Sequence, residues 1–587
     1  MTTTSATTTP RRGAALVVPL VYALFAVVLT WPLAYSPGVD VSARPDYYMN
    51  LWNLWWVGQS VLEGVTPYAT DLLHAPSGVS LARHTLSLGN SVPGALLGGW
   101  LSYETAYELL LLLHFWLSAC TAYLLAREVS GSRSGAFLAG LLWAFSPFHS
   151  HYLAQLNVAT LEFLPLVAFF LIRMRRDGGA RNAIGVAACV AALALTSWYY
   201  LVYAGLFGAL YAAFAWLEDR ETPFVRGLTR LAIAGGLAGV VALVFGWPLL
   251  SEAGSAPPGP DVSLSDYVDR SNDLLGFRWV GPPEVALVSW PTMLGWGALL
   301  VVALGWRGLR ARGFWLLVLL VFFVLGLGPL LTIGGEPTGL GLPYAWIDSV
   351  PVLSMLRKPD RFQVMMQLAW VVLVACCWRA SLFDARPRTR GLFLALFALL
   401  FALEFKPGPL ETFDSALPEE VSELRGGTGT ILHLPTRVGH GADSLANLWQ
   451  TVHGRPIPQG YITSLALTPE GRKEAQALER HWSTLQKGRA EPLVAWCRAR
   501  GVTTIVLHNK SFMKRDKTAL DGRTIWTPFA FSRTELLHVR LAGPFEIRRD
   551  QVLLRDVRGA LQRTLGPPTS ETRAFAVFGL GPAGDGD

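Results

Sequence analysis

Runs of apolar residues that approach the ~20 needed to cross a bilayer recur through the first 405 positions of this 587-residue chain. No soluble core could absorb so many of them. They lie near 14–34, 104–126, 134–147, 158–172, 182–198, 200–217, 231–250, 286–305, 314–333, 362–378 and 390–405, which predicts about eleven membrane-spanning helices. A shorter run at 90–101 reads as re-entrant or interfacial. Composition agrees: 52% of residues are hydrophobic and only 16% charged, where a soluble chain carries about a quarter charged.

The formal net charge of +7 does not indicate nucleic acid, because the basic residues sit in short loops between apolar runs. They follow a rule of alternation. Arg127 and Arg133, then Arg173, Arg175, Arg176 and Arg181, then Arg220, Arg226 and Arg230, then Arg307, Arg310 and Arg312, then Arg379, Arg386, Arg388 and Arg390 occupy every second loop. The intervening loops near 148–157 and 199 have no Lys or Arg, and the longer ones near 35–89, 251–285 and 334–361 hold only a few. Positive loops stay cytoplasmic, so the pattern predicts a cytoplasmic N-terminus. An odd number of spans then leaves everything after Phe405 outside. The first run follows Arg11 and Arg12, exceeds a signal-peptide core and has no cleavage site close behind it, so it reads as an uncleaved span. The expected organisation is a disordered, Thr-rich cytoplasmic terminus at 1–13, a multi-pass domain at 14–405 whose first outer loop is 35–103, and an extracytoplasmic domain at 406–587.

That tail changes character, with dense charge and Pro/Gly punctuation. "GTILHLP" and "TTIVLHN" read as strands around a helical stretch near 468–500, and "FEIRRDQVLLRDV" as a hairpin. The fold class is thus an all-α polytopic membrane domain with a C-terminal α/β domain. Cys120, Cys189, Cys376, Cys377 and Cys497 have no metal or disulfide spacing and read as small buried hydrophobes. No glycine-rich nucleotide loop or nucleophile elbow occurs, which argues against a nucleotide-driven machine.

Three polar groups lie on the predicted outer face. In "ARPDYYMNLWNLWW" the pattern turns helical after Pro45, with Leu51, Trp52, Trp55 and Trp56 on one face and Asp46, Asn50 and Asn53 on another. The expected placement is flat at the membrane–water boundary, rings toward lipid, with Asp46 in the first helical turn. Spacing leaves two readings of Asp46 open: a helix cap, or a general base for an acceptor hydroxyl or ligand for an ion. The second group is "LRKPDRF". Lys358 is the only lysine before Lys406, and with Arg357 and Arg361 it makes a basic cluster where the charge bias predicts none. It suits a phosphate or pyrophosphate at headgroup level; anionic lipid or Asp360 would also satisfy it. The third is "SPFHSHYLAQLN", with His149, His151, Gln155 and Asn157. Two His at i and i+2 do not share a helix face, so hydrogen bonding to a polar substrate and ordinary interfacial satisfaction both fit. Arg83 and His84 in "HAPSGVSLARHT" join the substrate-contact candidates.

Taken together, "TWPLAYSPG", "NLWNLWW", "HAPSGVSLARHT", "AYLLAREVSGSRSGAFLAGLLWAFSP" and "LGPLLTIGGEPTGLGLPYAWIDSVPVLSMLRKPDRF" resemble bacterial multi-pass glycosyltransferases of the GT-C superfamily, in a branch related to protein mannosyltransferases and lipid A aminoarabinose transferases. The resemblance covers roughly 14–405. It implies an enzyme of the bacterial cytoplasmic membrane that takes a sugar from a polyprenyl-phosphate carrier at the outer face and passes it to a lipid, glycan or protein acceptor. It further implies that Asp46 is the general base and that Arg357, Lys358 and Arg361 hold the carrier phosphate; Asn50, Arg83, His84, His149, His151 and Gln155 stand beside them as the candidate substrate contacts read from the residues. One departure is evident: protein mannosyltransferases carry an acidic pair here, whereas Tyr47 follows Asp46 and the nearest other carboxylate is Asp40. A single-base mechanism without cofactor fits best, and no residue pattern supports a divalent metal. The partners expected are the lipid-linked donor, the acceptor and membrane lipids, with no nucleic acid. Two other classes fit less well: a transporter or flippase of lipid-linked glycans, which would carry polar residues at midspan, and a non-catalytic envelope-assembly scaffold.

Overall fold

The computed structural model describes residues 12–34, 45–177, 180–218, 224–253, 270–277, 294–310, 312–334, 336–348, 356–404, 419–436, 441–463, 466–508, 515–516, 525–526, 556–572 and 575–581. The Thr-rich terminus before residue 12, Asp40, the start of the 286–305 run and most of the hairpin read at 545–557 lie outside them.

Each of the expected spans contains a helix: Arg12–Leu29, Tyr103–Ser130, Arg133–Ala144, Phe163–Asp177, Ala180–Thr196, Trp198–Glu218, Phe224–Ala253, Trp296–Leu304, Gly313–Gly326, Gln363–Ala380 and Pro387–Glu404. Four stretches among the described residues are long and apolar enough to cross a bilayer, Tyr103–Ser130, Leu156–Arg176, Trp198–Glu218 and Pro359–Ala380. This is a membrane protein. The Pro359–Ala380 stretch is its axis: every residue from Gln363 to Trp378 is buried, which is why the sequence there is apolar all round and not striped.

The two ends of this central helix define the two faces of the bundle. At its far end Arg379 donates to Asp384 (3.2 Å), which also accepts from Ser134 (2.6 Å). Arg312 donates to the carbonyl of Val129 (3.0 Å) and to Cys376 Sγ (3.2 Å). Arg176 pairs with Glu128, and Arg175 with Glu218 at 3.1 Å. Among the described residues, the loops that carry Arg176, Arg312 and Arg379 thus meet the 128–134 loop and the Glu218 helix end at one end of the bundle. Arg361 sits at the other, 18 residues away, or about 27 Å at the helical rise, close to the hydrocarbon thickness of a bilayer.

Beyond that second end lies the tail. A four-stranded sheet runs in the order Thr430–Leu434, Val502–His508, Phe575–Gly579, Ser570–Glu571; the first pair is parallel and the others antiparallel. Helices Gly441–His453, Pro469–Gln486 and Glu491–Ala499 pack on it. Arg455 ties the sheet to its surroundings, donating to the carbonyls of Gly429 (3.0 Å) and Leu424 (3.3 Å) and to the hydroxyl of Thr503 (3.0 Å).

The tail does not hang free. Trp52, Trp55 and Trp56 on the Pro45–Glu63 helix are 0%, 6% and 3% exposed and share one hydrophobic core with Leu73, Ile431, Trp449, Ile457 and Val506. Trp52 Nε1 donates to Gln450 Oε1 (2.7 Å), and Gln450 Nε2 donates to the carbonyl of Leu72. The expectation that these rings face lipid is therefore corrected. An apolar helix face at a membrane boundary can be covered by lipid or by protein, and here the tail supplies the cover and a partner for the indole N–H.

Candidate functional site

Pro45 and Asp46 open the helix Pro45–Glu63, Pro at the position where its missing N–H costs nothing and Asp in the first turn. The carboxylate faces the segment joining the short helices Pro147–His151 and Leu156–Ala159. There Gln155 Nε2 donates to Asp46 Oδ2 at 2.5 Å. The same amide accepts from Arg361 through Oε1 at 2.5 Å. One side chain thus joins the acidic and basic groups that the sequence places more than 300 positions apart.

Arg361 is locked. Its guanidinium lies 5.2 Å from the Tyr152 ring centre and 4.6 Å from that of Tyr199, and only 4% of the residue is exposed. Tyr152 in turn donates to Asp360 Oδ2 at 2.8 Å. The basic trio is therefore not one uniform patch. Arg361 turns inward to orient Gln155, while Lys358 keeps the freer position. Burial and the neighbouring charges of Arg361 and Arg270 push the Lys358 ammonium down to about 8, against the opposing pull of Asp360 and Asp46. Arg270, whose carbonyl accepts from Asp360 N–H (3.0 Å), is a cation that sequence reasoning did not single out. Arg357 precedes Lys358, partly buried.

The other expected substrate contacts divide. Asn50 donates to the carbonyls of Asp46 (2.7 Å) and Ala154 (3.2 Å), which fixes the Asp46 helix against the Gln155 segment without touching the carboxylate. His84 accepts at Nδ1 from Thr463 N–H (3.3 Å), so its Nε2–H donates to Asn53 Oδ1 (2.9 Å); burial pushes it down to about 3 and keeps it neutral. Thr463 also donates to the carbonyl of Arg83 (3.0 Å). Arg83 and His84 thus link the segment before the Tyr103–Ser130 helix to the tail. His149 is fully buried, with Nδ1 on the carbonyl of Ala144 (2.7 Å) and its ring stacked on Phe115. His151 is half-buried with its ring edge-on to Tyr152, and Asn157 is buried. In the tail, His453 and His508 flank His433 at 3.1 and 2.9 Å. Among the described residues no group of three or more His, Cys, Asp or Glu is arranged to hold a metal ion.

Two further features were missed. Tyr461, from the tail, points its hydroxyl at Asp46 Oδ1 (3.4 Å). Inside the bundle, His114 Nδ1 meets Glu162 Oε1 (2.9 Å) and its Nε2 meets Asn90 Oδ1 (3.0 Å), with Thr160 and Ser87 on the Asn90 amide (2.9 and 3.0 Å). Isolated polar letters in apolar runs gave no sign of this network.

The architecture has solved counterparts. Over 99% of its length the chain superposes on 40% of the arabinofuranosyltransferase AftD from mycobacteria, with a TM-score of 0.60 at 16% identity. Over 84% of its length it superposes on 70% of an oligosaccharyltransferase from Archaeoglobus fulgidus, with a TM-score of 0.51 at 12% identity. These are GT-C superfamily glycosyltransferases, and the chain is a membrane protein with the GT-C fold. At such identities the likeness is one of fold, and the chain spans about 40% of the length of AftD. No family model matches it, and no curated protein does.

Proposed function

We propose that this chain is a glycosyltransferase that moves a sugar from a polyprenyl-phosphate carrier to an acceptor at the outer face of a bacterial cytoplasmic membrane. The observation that carries the reading is the Asp46–Gln155–Arg361 bridge with Lys358 beside it: a carboxylate and a cationic group held in one fixed geometry. In the reaction Asp46 takes the proton of an acceptor hydroxyl as its oxygen bonds to the anomeric carbon. The bond from that carbon to the carrier phosphate breaks, the carrier phosphate leaves with the electron pair, and the sugar configuration inverts. Lys358, with Arg357 and Arg270 near it in sequence or space, offsets the charge that grows on the leaving phosphate. Arg361 acts through Gln155 by holding the base in line. The charge rule supports this sidedness, because the Arg-rich end of the bundle is the one opposite Asp46.

The direct test is carrier chemistry. Purified protein given polyprenyl-phosphate sugar and a membrane extract as acceptor source should release one polyprenyl phosphate per sugar transferred, read by mass spectrometry. An untouched donor would contradict the proposal. The pH dependence is a second expectation. A lysine with its pKa pushed down to about 8 is cationic below that value and loses its charge above it, so donor KM should rise as pH passes from 7 to 9, by roughly tenfold for one charged contact. Lys358→Arg, which keeps its charge, should flatten that rise; an equal rise in the variant would remove Lys358 from phosphate binding.

A second reading, transport of a lipid-linked glycan, draws on the His114–Glu162 pair, since ionisable groups buried in spans often mark a transport path.

A further inference from the structure

The tail reaches the catalytic carboxylate through one residue whose placement is unusually constrained. Tyr461 sits in the segment that follows the helix Gly441–His453, and a single side chain of that helix holds its backbone on both sides. Asn447 Oδ1 accepts from Tyr461 N–H and Asn447 Nδ2 donates to the Tyr461 carbonyl, each at 3.0 Å. Gly460, just before it, has φ +150° and packs against Leu73 of the first outer loop, where a Cβ would come within 3.0 Å of Leu73 Cδ2 and 3.2 Å of Asn447 Oδ1. Thr463, just after it, is tied to His84 and Arg83. Ile457 N–H donates to the Leu72 carbonyl (2.8 Å) and Ala75 N–H to the Ile457 carbonyl (3.0 Å). The whole segment is stapled to the first outer loop on either side of the tyrosine.

We infer that Tyr461 is a positioning residue for Asp46, so that the extracytoplasmic domain completes the catalytic site. An ionised carboxylate offers about four lone-pair positions. Gln155 occupies one on Oδ2 and the Tyr461 hydroxyl approaches Oδ1, which together fix the plane of the group and leave its remaining lone pairs for the acceptor proton. A base held in line by donors on both oxygens loses less freedom on reaching the transition state than one that rotates. Burial and the Asp46 charge hold the phenol well above its ordinary pKa, so it stays a donor throughout the working pH range. The role rests on the reading of Asp46 as the base.

The test is a double-mutant cycle on transfer from polyprenyl-phosphate sugar, in the full-length protein. Tyr461→Phe keeps the ring and removes only the hydroxyl. It should lower kcat about fivefold to tenfold, the loss of one hydrogen bond to a charged group, with donor KM within about twofold and the protease resistance of the tail unchanged. In an Asp46→Asn background the same substitution should cost nothing further, because its effect runs through the carboxylate. An unchanged kcat in Tyr461→Phe would overturn the inference, and so would an equal loss in both backgrounds or a tail that becomes protease-sensitive. Full activity in Asp46→Asn alone would instead remove the base reading beneath it, a result separable from the other three.

Discussion

Asp46→Asn is expected to lower sugar transfer by about 10²–10⁴-fold, the usual contribution of a positioned general base, while leaving the protein folded and in the membrane. Asn is nearly isosteric and can still accept from Gln155 or Tyr461 through its Oδ1, so the hydrogen-bonded frame survives with the proton acceptor gone. Donor KM should change little, because the carrier phosphate is held by Lys358 and its neighbours. The measurement is kcat and KM on radiolabelled polyprenyl-phosphate sugar, with size-exclusion behaviour as the folding control. A variant within tenfold of the parent would mean that another group takes the proton.

Trp52→Ala is the second large effect. Its side chain is fully buried where the membrane domain meets the tail, stacked at 5.9 Å on Trp56 and hydrogen-bonded to Gln450. Truncating a buried aromatic costs about 3–5 kcal/mol, and the stranded Gln450 oxygen adds roughly 1–3 kcal/mol. Nearly all of that loss falls on the contact between the two parts, so limited proteolysis should release the tail while the bundle stays intact. Transfer should fall with it, since Tyr461 would leave Asp46. Trp100, which is 91% exposed, serves as the control whose replacement by Ala leaves proteolysis unchanged. If Trp52→Ala resists protease like the parent, the tail is held by something other than the tryptophan helix.

What could be read in the sequence was what charge and periodicity encode. Asp46 stood out because it opens a helix, and the Lys358 cluster because it breaks an otherwise regular charge alternation. Neither signal said how the two meet. Gln155 carries no charge and no period, yet it is the bridge, and the sequence offers it only as one polar residue beside His149, His151 and Asn157. Its role depends on a chain reversal between two short helices, which local pattern does not specify. Tyr461 lies 415 positions from Asp46 in a segment whose ordering comes from Asn447 and the 72–84 segment, so only the folded chain brings it there. The tryptophans illustrate the opposite failure. Their spacing suggests an amphipathic helix, yet Asn50 and Asn53 on its polar face are buried as well and Leu51 packs into the bundle core away from the tryptophans; periodicity does not report what buries a face. The same limit hid the His114–Glu162 network, whose members are single polar letters in runs that otherwise look uniformly apolar.

The account's central claim is that the outer face of this bundle transfers a lipid-linked sugar and does not move it across the membrane. Proteoliposomes holding the purified protein, with polyprenyl-phosphate [¹⁴C]sugar in both leaflets and acceptor on one side only, separate the two. The prediction is label in the acceptor, dependent on Asp46, with the leaflet distribution of the remaining donor unchanged. Redistribution of donor between leaflets, with none reaching the acceptor, would contradict it.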